Sequence, residues 1–179
     1  MLLSPWRAGL AVLLCGSLLL AADEFELEPG FTLLFNGKNL DGWKLRGGEA
    51  LTGKTATDKN RFQVIEGRLV IDGKSRGNMV IDSEHEFAGD THIKFDFLPD
   101  EKCNNDLYFR GLKFDLKPAS VKNFAAGKWH QFEIVAAGDQ VQFISNGEVQ
   151  ATQKPKAERS PLGIRAEFGA VEIRRLRYK

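Results

Sequence analysis

Cysteine is scarce in this chain: of 179 residues only Cys15 and Cys103 carry a thiol. Cys15 falls in an N-terminal apolar segment, so no disulfide within a processed chain is available and stability must come from packing. Cys103 then reads as a small hydrophobe rather than a reactive thiol. Histidine is nearly as rare, with three copies, and no zinc spacing, phosphate-binding glycine loop or nucleophile elbow is present. An excess of one charge is also missing, since 25 Lys and Arg face 24 Asp and Glu. This balance argues against nucleic acid or an anionic membrane as the partner. There is no internal repeat, no low-complexity tract and no amphipathic helical period.

The one long apolar run, Ala8 to Leu20, follows a single cation at Arg7 and ends in the small residues Ala21 and Ala22 before Asp23 and Glu24. That layout is a secretory signal peptide over residues 1–22, leaving a single domain over 23–179. The run is short for a membrane span, so no membrane attachment is expected after cleavage, and the expected location is secreted or periplasmic. Leu14 is too bulky for the residue before a lipoprotein cysteine, which sets aside lipidation at Cys15.

What fills the rest is short alternation of apolar and polar residues, interrupted by Gly, Asn and Asp, the period-two signal of half-buried strands. Phe62–Ile65 and Arg68–Ile71 flank Glu66-Gly67 as a hairpin. His92–Leu98 is a further strand, followed by Leu107–Phe109 and by Gly111–Leu116. From Gly127 to Gln153 two strands meet at Ala137-Gly138-Asp139, and Asn146-Gly147 turns into a third. Leu162–Phe168 and Val171–Tyr178 close the chain. About ten strands with turns every 8 to 12 residues predict an all-β, antiparallel sandwich. Residues 44–61 read as a long, charged surface loop of the kind that carries function.

The stretches FTLLFNGKNLDGW (31–43), FQVIEGRLVI (62–71), NNDLYFR (104–110), GKWHQFEI (127–134) with its NGE turn, and LGIRAEFGAVEIRRL (162–176) occur in an order that resembles the 3-keto-disaccharide hydrolase family. The resemblance spans the whole processed chain. It implies a concanavalin A-like jelly-roll β-sandwich, secretion and action on glycosides whose C3 hydroxyl has been oxidised to a ketone. Such a ketone acidifies the hydrogen on C2; a base removes it, the enolate expels the C1 substituent, and water adds. The step needs a base near C2 and a cation or donor on the enolate oxygen. No cofactor is expected, and a divalent metal is left open without a motif to hold it.

Asn104 and Arg110 match the family's first polar motif and are expected to bind substrate. In the second motif, Gly111 to Asp115, Lys113 stands where glutamate is usual and Asp115 where glutamine is usual. In the third, Arg165 replaces glutamine and Glu167 matches the variant with glutamate. The alternation itself assigns faces: Leu112, Phe114 and Leu116 share one face, as do Leu162, Ile164, Ala166 and Phe168. Lys113, Asp115, Arg165 and Glu167 are therefore expected on the opposite, non-core faces, either as a polar patch for hydroxyls and a ketone or as ordinary solvated ion pairs.

The catalytic candidates are thus Glu167 or Asp115 as base and Lys113 as the cation on oxygen, with Asn104, Arg110 and Arg165 binding substrate. His130 is expected in the core, hydrogen-bonded, and His85 in a solvated turn over Asp82–Glu86. Trp43 and Tyr108 are the aromatic residues considered for stacking on a sugar, with Trp43 favoured as a core residue closing a sheet edge; Trp129 is expected in the core. The expected partner is a carbohydrate or glycoside. Two further classes stay open: a noncatalytic carbohydrate-binding sandwich, and a protein-interaction module like the laminin-G domains.

Overall fold

A computed structural model describes residues 25–74 and 77–179. The expected signal peptide lies outside the described residues. Among the described residues, thirteen strands form two antiparallel sheets: β1 (Thr32–Leu33), β2 (Trp43–Leu45), β3 (Phe62–Ile65), β4 (Arg68–Ile71), β5 (Met79–Ala88), β6 (Thr91–Pro99), β7 (Asn104–Phe109), β8 (Leu112–Leu116), β9 (His130–Ala137), β10 (Gln140–Ser145), β11 (Glu148–Gln153), β12 (Arg159–Phe168) and β13 (Val171–Tyr178). The larger sheet runs β11-β10-β9-β6-β13-β4-β3, with β1 beside the far end of β13; the smaller runs β2-β5-β12-β7-β8. The all-β antiparallel sandwich expected from the alternation, with the jelly-roll form that the family resemblance implies, is what the chain forms.

Alternation drives this arrangement. On β6, Ile93, Phe95 and Phe97 are buried, as are Phe132 and Ile134 on β9. They meet Phe114 of the smaller sheet, whose ring lies 5.3 Å from Phe132 and 4.9 Å from Phe143, so the aromatic core bridges the two layers. Burying each such ring contributes roughly 2–3 kcal/mol before chain entropy is counted. Asn146 and Gly147 both take positive φ, as a two-residue hairpin turn requires. Arg110 and Gly111 do the same between β7 and β8.

Several single-residue expectations come out differently. Trp43 is fully buried, but Trp129 lies half-buried on the outer face of the larger sheet, its ring 4.0 Å below the Arg174 guanidinium. His130 takes the inward position instead, stacked on Phe97, with Nδ1 facing Asn146 and Nε2 facing the Ala125 backbone. The two residues are consecutive, so only one of them can face the core. Asp82–Glu86 is not a turn but part of β5, where pairing with β12 overrides its polar composition. The 44–61 segment is only partly a surface loop. Leu51 is buried in the core, and Arg61 is buried with its guanidinium donating to the carbonyls of Asp72, Gly77 and Glu167. Cys103 is buried, its thiol donating to the Leu116 carbonyl, and burial pushes its pKa up to about 11.

Candidate functional site

The outer face of the smaller sheet carries a row of charge that crosses three strands. Arg165 of β12 is paired with Asp106 of β7, and Asp106 in turn with Asp115 of β8. Antiparallel pairing puts directly opposed residues on the same face, so the three side chains are neighbours by register. Arg165 donates to Asp106 Oδ2 at 2.8 Å, and its other Nη lies 2.6 Å from Glu167 Oε1. Lys113 Nζ lies 2.5 Å from Asp115 Oδ1 and 3.6 Å from Asp106 Oδ1, while Lys117 reaches the second Asp115 oxygen at 2.9 Å. Lys113, Asp115, Arg165 and Glu167, singled out from alternation, therefore meet in one cluster.

The centre of that cluster, Asp106, is a residue the sequence reading did not select. Its side chain is 1% exposed, yet it sits on the polar face, beneath Arg165 and Lys113 and beside the Tyr108 hydroxyl, which donates to it at 3.3 Å. Burial raises its pKa, and a hydrogen bond shared with Asp115 raises it further, against the lowering fields of Lys113 and Arg165. Asp115 goes the other way. Burial would raise it, but hydrogen bonds from Lys113, Lys117 and Asp106 outweigh burial and bring it to about 2. The two acidities thus part, with Asp106 raised and Asp115 lowered.

A second row lies alongside: Lys44, Asp82, Gly163, Tyr108 and Lys113 on β2, β5, β12, β7 and β8. Gly163 leaves a gap in this row, and Arg46, arriving from the segment after β2, fills it. Its guanidinium donates to both oxygens of Asp82, at 2.7 and 3.0 Å, and lies 4.4 Å from the centre of the Tyr108 ring. A Cβ at position 163 would stand 2.2 Å from that guanidinium and 2.6 Å from Asp82 Oδ1. Tyr108, considered for stacking on a sugar, stacks on Arg46.

The two remaining candidates part company. Asn104 is paired with Phe168 at the end of β7, on the same face as Asp106. Arg110 lies outside the cluster, in the β7–β8 turn; its buried guanidinium donates to the Gly89 carbonyl and to Thr91 Oγ1. The neighbouring Asn105, also unselected from sequence, is fully buried and holds the end of β12. It accepts from the Glu167 N–H at 2.9 Å and donates to the Phe168 carbonyl at 3.1 Å. Between Arg165 and Phe168 the register with β7 slips by one residue, a β-bulge, and Asn105 bridges it. Alternation had put Phe168 in the core with Ala166; the bulge reverses its phase, and Phe168 is 62% exposed. Among the described residues, no three of His, Cys, Asp and Glu gather as metal ligands.

The architecture and this face define a two-sheet jelly-roll protein with a carboxylate and cation array laid across one sheet. Over residues 30–122 the sequence matches the model of the 3-keto-alpha-glucoside-1,2-lyase-like domain, and the chain belongs to that family. No curated protein matches it. Among solved structures it is similar to a candidate glycosyl hydrolase from Parabacteroides distasonis ATCC 8503, at 18% identity and a TM-score of 0.64, over 84% of this chain and 93% of that one. A second candidate glycosyl hydrolase from the same organism aligns at 13% identity and a TM-score of 0.60, over 83% and 98% of the two chains. A sialidase aligns at 12% identity and a TM-score of 0.56, over 77% of this chain but 17% of that one. Identities this low bear on the fold alone.

Proposed function

We propose that the chain is a secreted or periplasmic protein acting on carbohydrate, and that it cleaves 3-keto-glycosides by removing the proton on C2. The observation that carries this reading is the single face that brings Glu167, Asp115 and Asp106 together with Arg165 and Lys113. A base and a cation within one cluster are what enolate chemistry asks of a site. Family membership supports the same substrate class.

In this reading Glu167 takes the C2 proton, and the C–H electron pair becomes the C2–C3 double bond of the enolate. Lys113, whose side chain is 48% exposed, carries the charge that develops on the C3 oxygen. Return of that charge breaks the C1–O bond, the departing oxygen takes up a proton, and water adds to the enone at C1. Arg165 holds Glu167 and Asp106 in register, and the Asp106–Asp115 pair fixes Lys113. Asn104, on the same face, is available to a sugar hydroxyl.

A second reading, a noncatalytic carbohydrate-binding sandwich, is favoured by one feature: each carboxylate of the row already has a cationic partner. Incubating the protein with 3-keto-glucosides and following release of the C1 substituent separates the two. Turnover supports the lyase. Sugar binding without turnover at high protein concentration supports the binding module.

A further inference from the structure

We infer that the cavity beside Glu167 is the subsite for the C1 substituent of the glycoside, and that it selects a ring-shaped leaving group by stacking it on Phe168. The inference rests on the reading of the Glu167 face as the glycoside site. The cavity, of about 410 Å³, is lined by Lys74, Asp100, Lys102, Glu167, Phe168 and Gly169. That is enough space for a small ligand. Glu167, the residue assigned to C2, is part of its lining, so a substituent on the adjacent carbon, C1, is the part of a substrate placed to reach it.

Three observations make Phe168 more than a stray exposed side chain. First, its outward position is imposed: the bulge turns a residue that alternation would bury onto the face it shares with Arg165 and Asn104. Second, the backbone that carries it is held from two sides by buried side chains, Asn105 on Glu167 N–H and Phe168 C=O, and Arg61 on the Glu167 carbonyl at 2.6 Å. Third, the turn beyond it is pinned. Asp100 accepts from the Ala170 N–H at 2.8 Å, and a Cβ at Gly169 would stand 2.4 Å from the Lys102 backbone. An exposed aromatic ring carried on a held backbone presents an apolar face that a flat partner can cover. Lys74, Lys102 and Asp100 in the lining supply donors and an acceptor, suited to hydroxyls around a ring. A sugar ring and an aromatic aglycone both present a flat apolar face, and the test separates them.

Binding of methyl glucoside, phenyl glucoside and a glucose disaccharide is measured by calorimetry on the wild type, Phe168→Ala and Phe168→Tyr. The same three leaving groups are then compared in turnover of the 3-keto-glucosides. Phe168 is exposed, so neither variant threatens folding. The wild type should favour the ring-bearing ligands over the methyl ligand by about tenfold. Phe168→Ala should erase that preference through KM or Kd while leaving the methyl ligand unchanged, and Phe168→Tyr should keep it. Whichever ring-bearing ligand shows the larger loss identifies the leaving group as sugar or aromatic. No preference in the wild type, or one that persists in Phe168→Ala, overturns the subsite even if turnover is seen. A preference lost in Phe168→Ala without any turnover overturns the lyase and leaves the subsite standing.

Discussion

Asp106 and Asp115 face each other across β7 and β8, and the hydrogen bond between their carboxyl groups divides their acidities, Asp106 raised and Asp115 brought to about 2. The two contribute to stability with opposite sign. Asp106 binds its proton more tightly when folded, so its contribution is fully present below the unfolded pKa near 3.8 and is lost as pH rises through the raised value. Asp115 contributes above 3.8, and that contribution is lost as pH falls through about 2. Asp106→Asn should therefore remove the loss on the rising limb, while Asp115→Asn should flatten the acid limb. Denaturant melts of both variants between pH 2 and 7 read these slopes, and parallel curves for all three proteins would show that the carboxyl groups do not interact.

Asn105→Ala should unfasten the bulge. Its side chain is fully buried, and removing it strands the Glu167 N–H and the Phe168 carbonyl together, costing about 3 kcal/mol. The fold should survive at moderate temperature, but hydrogen exchange at Glu167 should accelerate ahead of the core strands. Uniform acceleration across the chain would instead assign Asn105 to global stability.

The sheets were legible because burial on one face forces period-two patterning, and Phe62–Ile65, Arg68–Ile71 and Val171–Tyr178 fall where that pattern puts them. Polar β5 residues were obscure because their pairing partner, not their own composition, makes them a strand. Four of the six charged residues of the cluster, Lys113, Asp115, Arg165 and Glu167, were legible on the same grounds. Asp106 was not, because a buried aspartate on a polar face is covered by the long side chains of other strands, which no local pattern records. Phe168 was misplaced for a related reason: a bulge adds one residue and reverses phase, and its fastener, Asn105, lies some sixty residues away in sequence.

Gly163→Ala should dislodge Arg46. The added methyl group meets the Arg46 guanidinium at 2.2 Å, which can swing away, and the buried Asp82 carboxylate at 2.6 Å, which has less room to move. Loss of the paired hydrogen bonds to Asp82 and of the Tyr108 stack should cost about 1–2 kcal/mol. If Arg46→Ala and Gly163→Ala are each destabilising and the double variant is no worse than Gly163→Ala alone, the glycine exists to seat that arginine. Full additivity would separate the two.

On the larger sheet, Glu28 fastens the segment before β1 by accepting from Arg177 at 2.5 and 2.6 Å and from Lys94 at 3.0 Å. Its pKa is brought to about 2, chiefly by Arg177, with burial opposing and Lys94 adding to the effect. The folded value is depressed, so the stabilisation is present above the unfolded pKa of 4.5 and is lost as pH falls through about 2. Because the carboxylate is 37% exposed, solvent screening leaves roughly 1 kcal/mol. Glu28→Gln should lower stability by that amount at pH 7 and by almost nothing at pH 2, which melts at the two values will show.

Glu167→Gln and Asp115→Asn test the assignment of the base, and they should differ. Glu167 is held only by Arg165 among the cations of the row and lines the cavity, so losing its charge should lower kcat on 3-keto-glucosides by about 10²–10⁴-fold. Asp115 has its oxygens occupied by Lys113 and Lys117 and by the hydrogen bond with Asp106, which leaves it little capacity to take a substrate proton. Asp115→Asn should act through Lys113, weakening activity by about tenfold as the ammonium loses its anchor. A sharper loss in Asp115→Asn than in Glu167→Gln would exchange their roles. Undiminished turnover in both would move the chemistry off this face, because no other carboxylate of the row reaches solvent: Asp106, the remaining one, is sealed beneath Arg165 and Lys113.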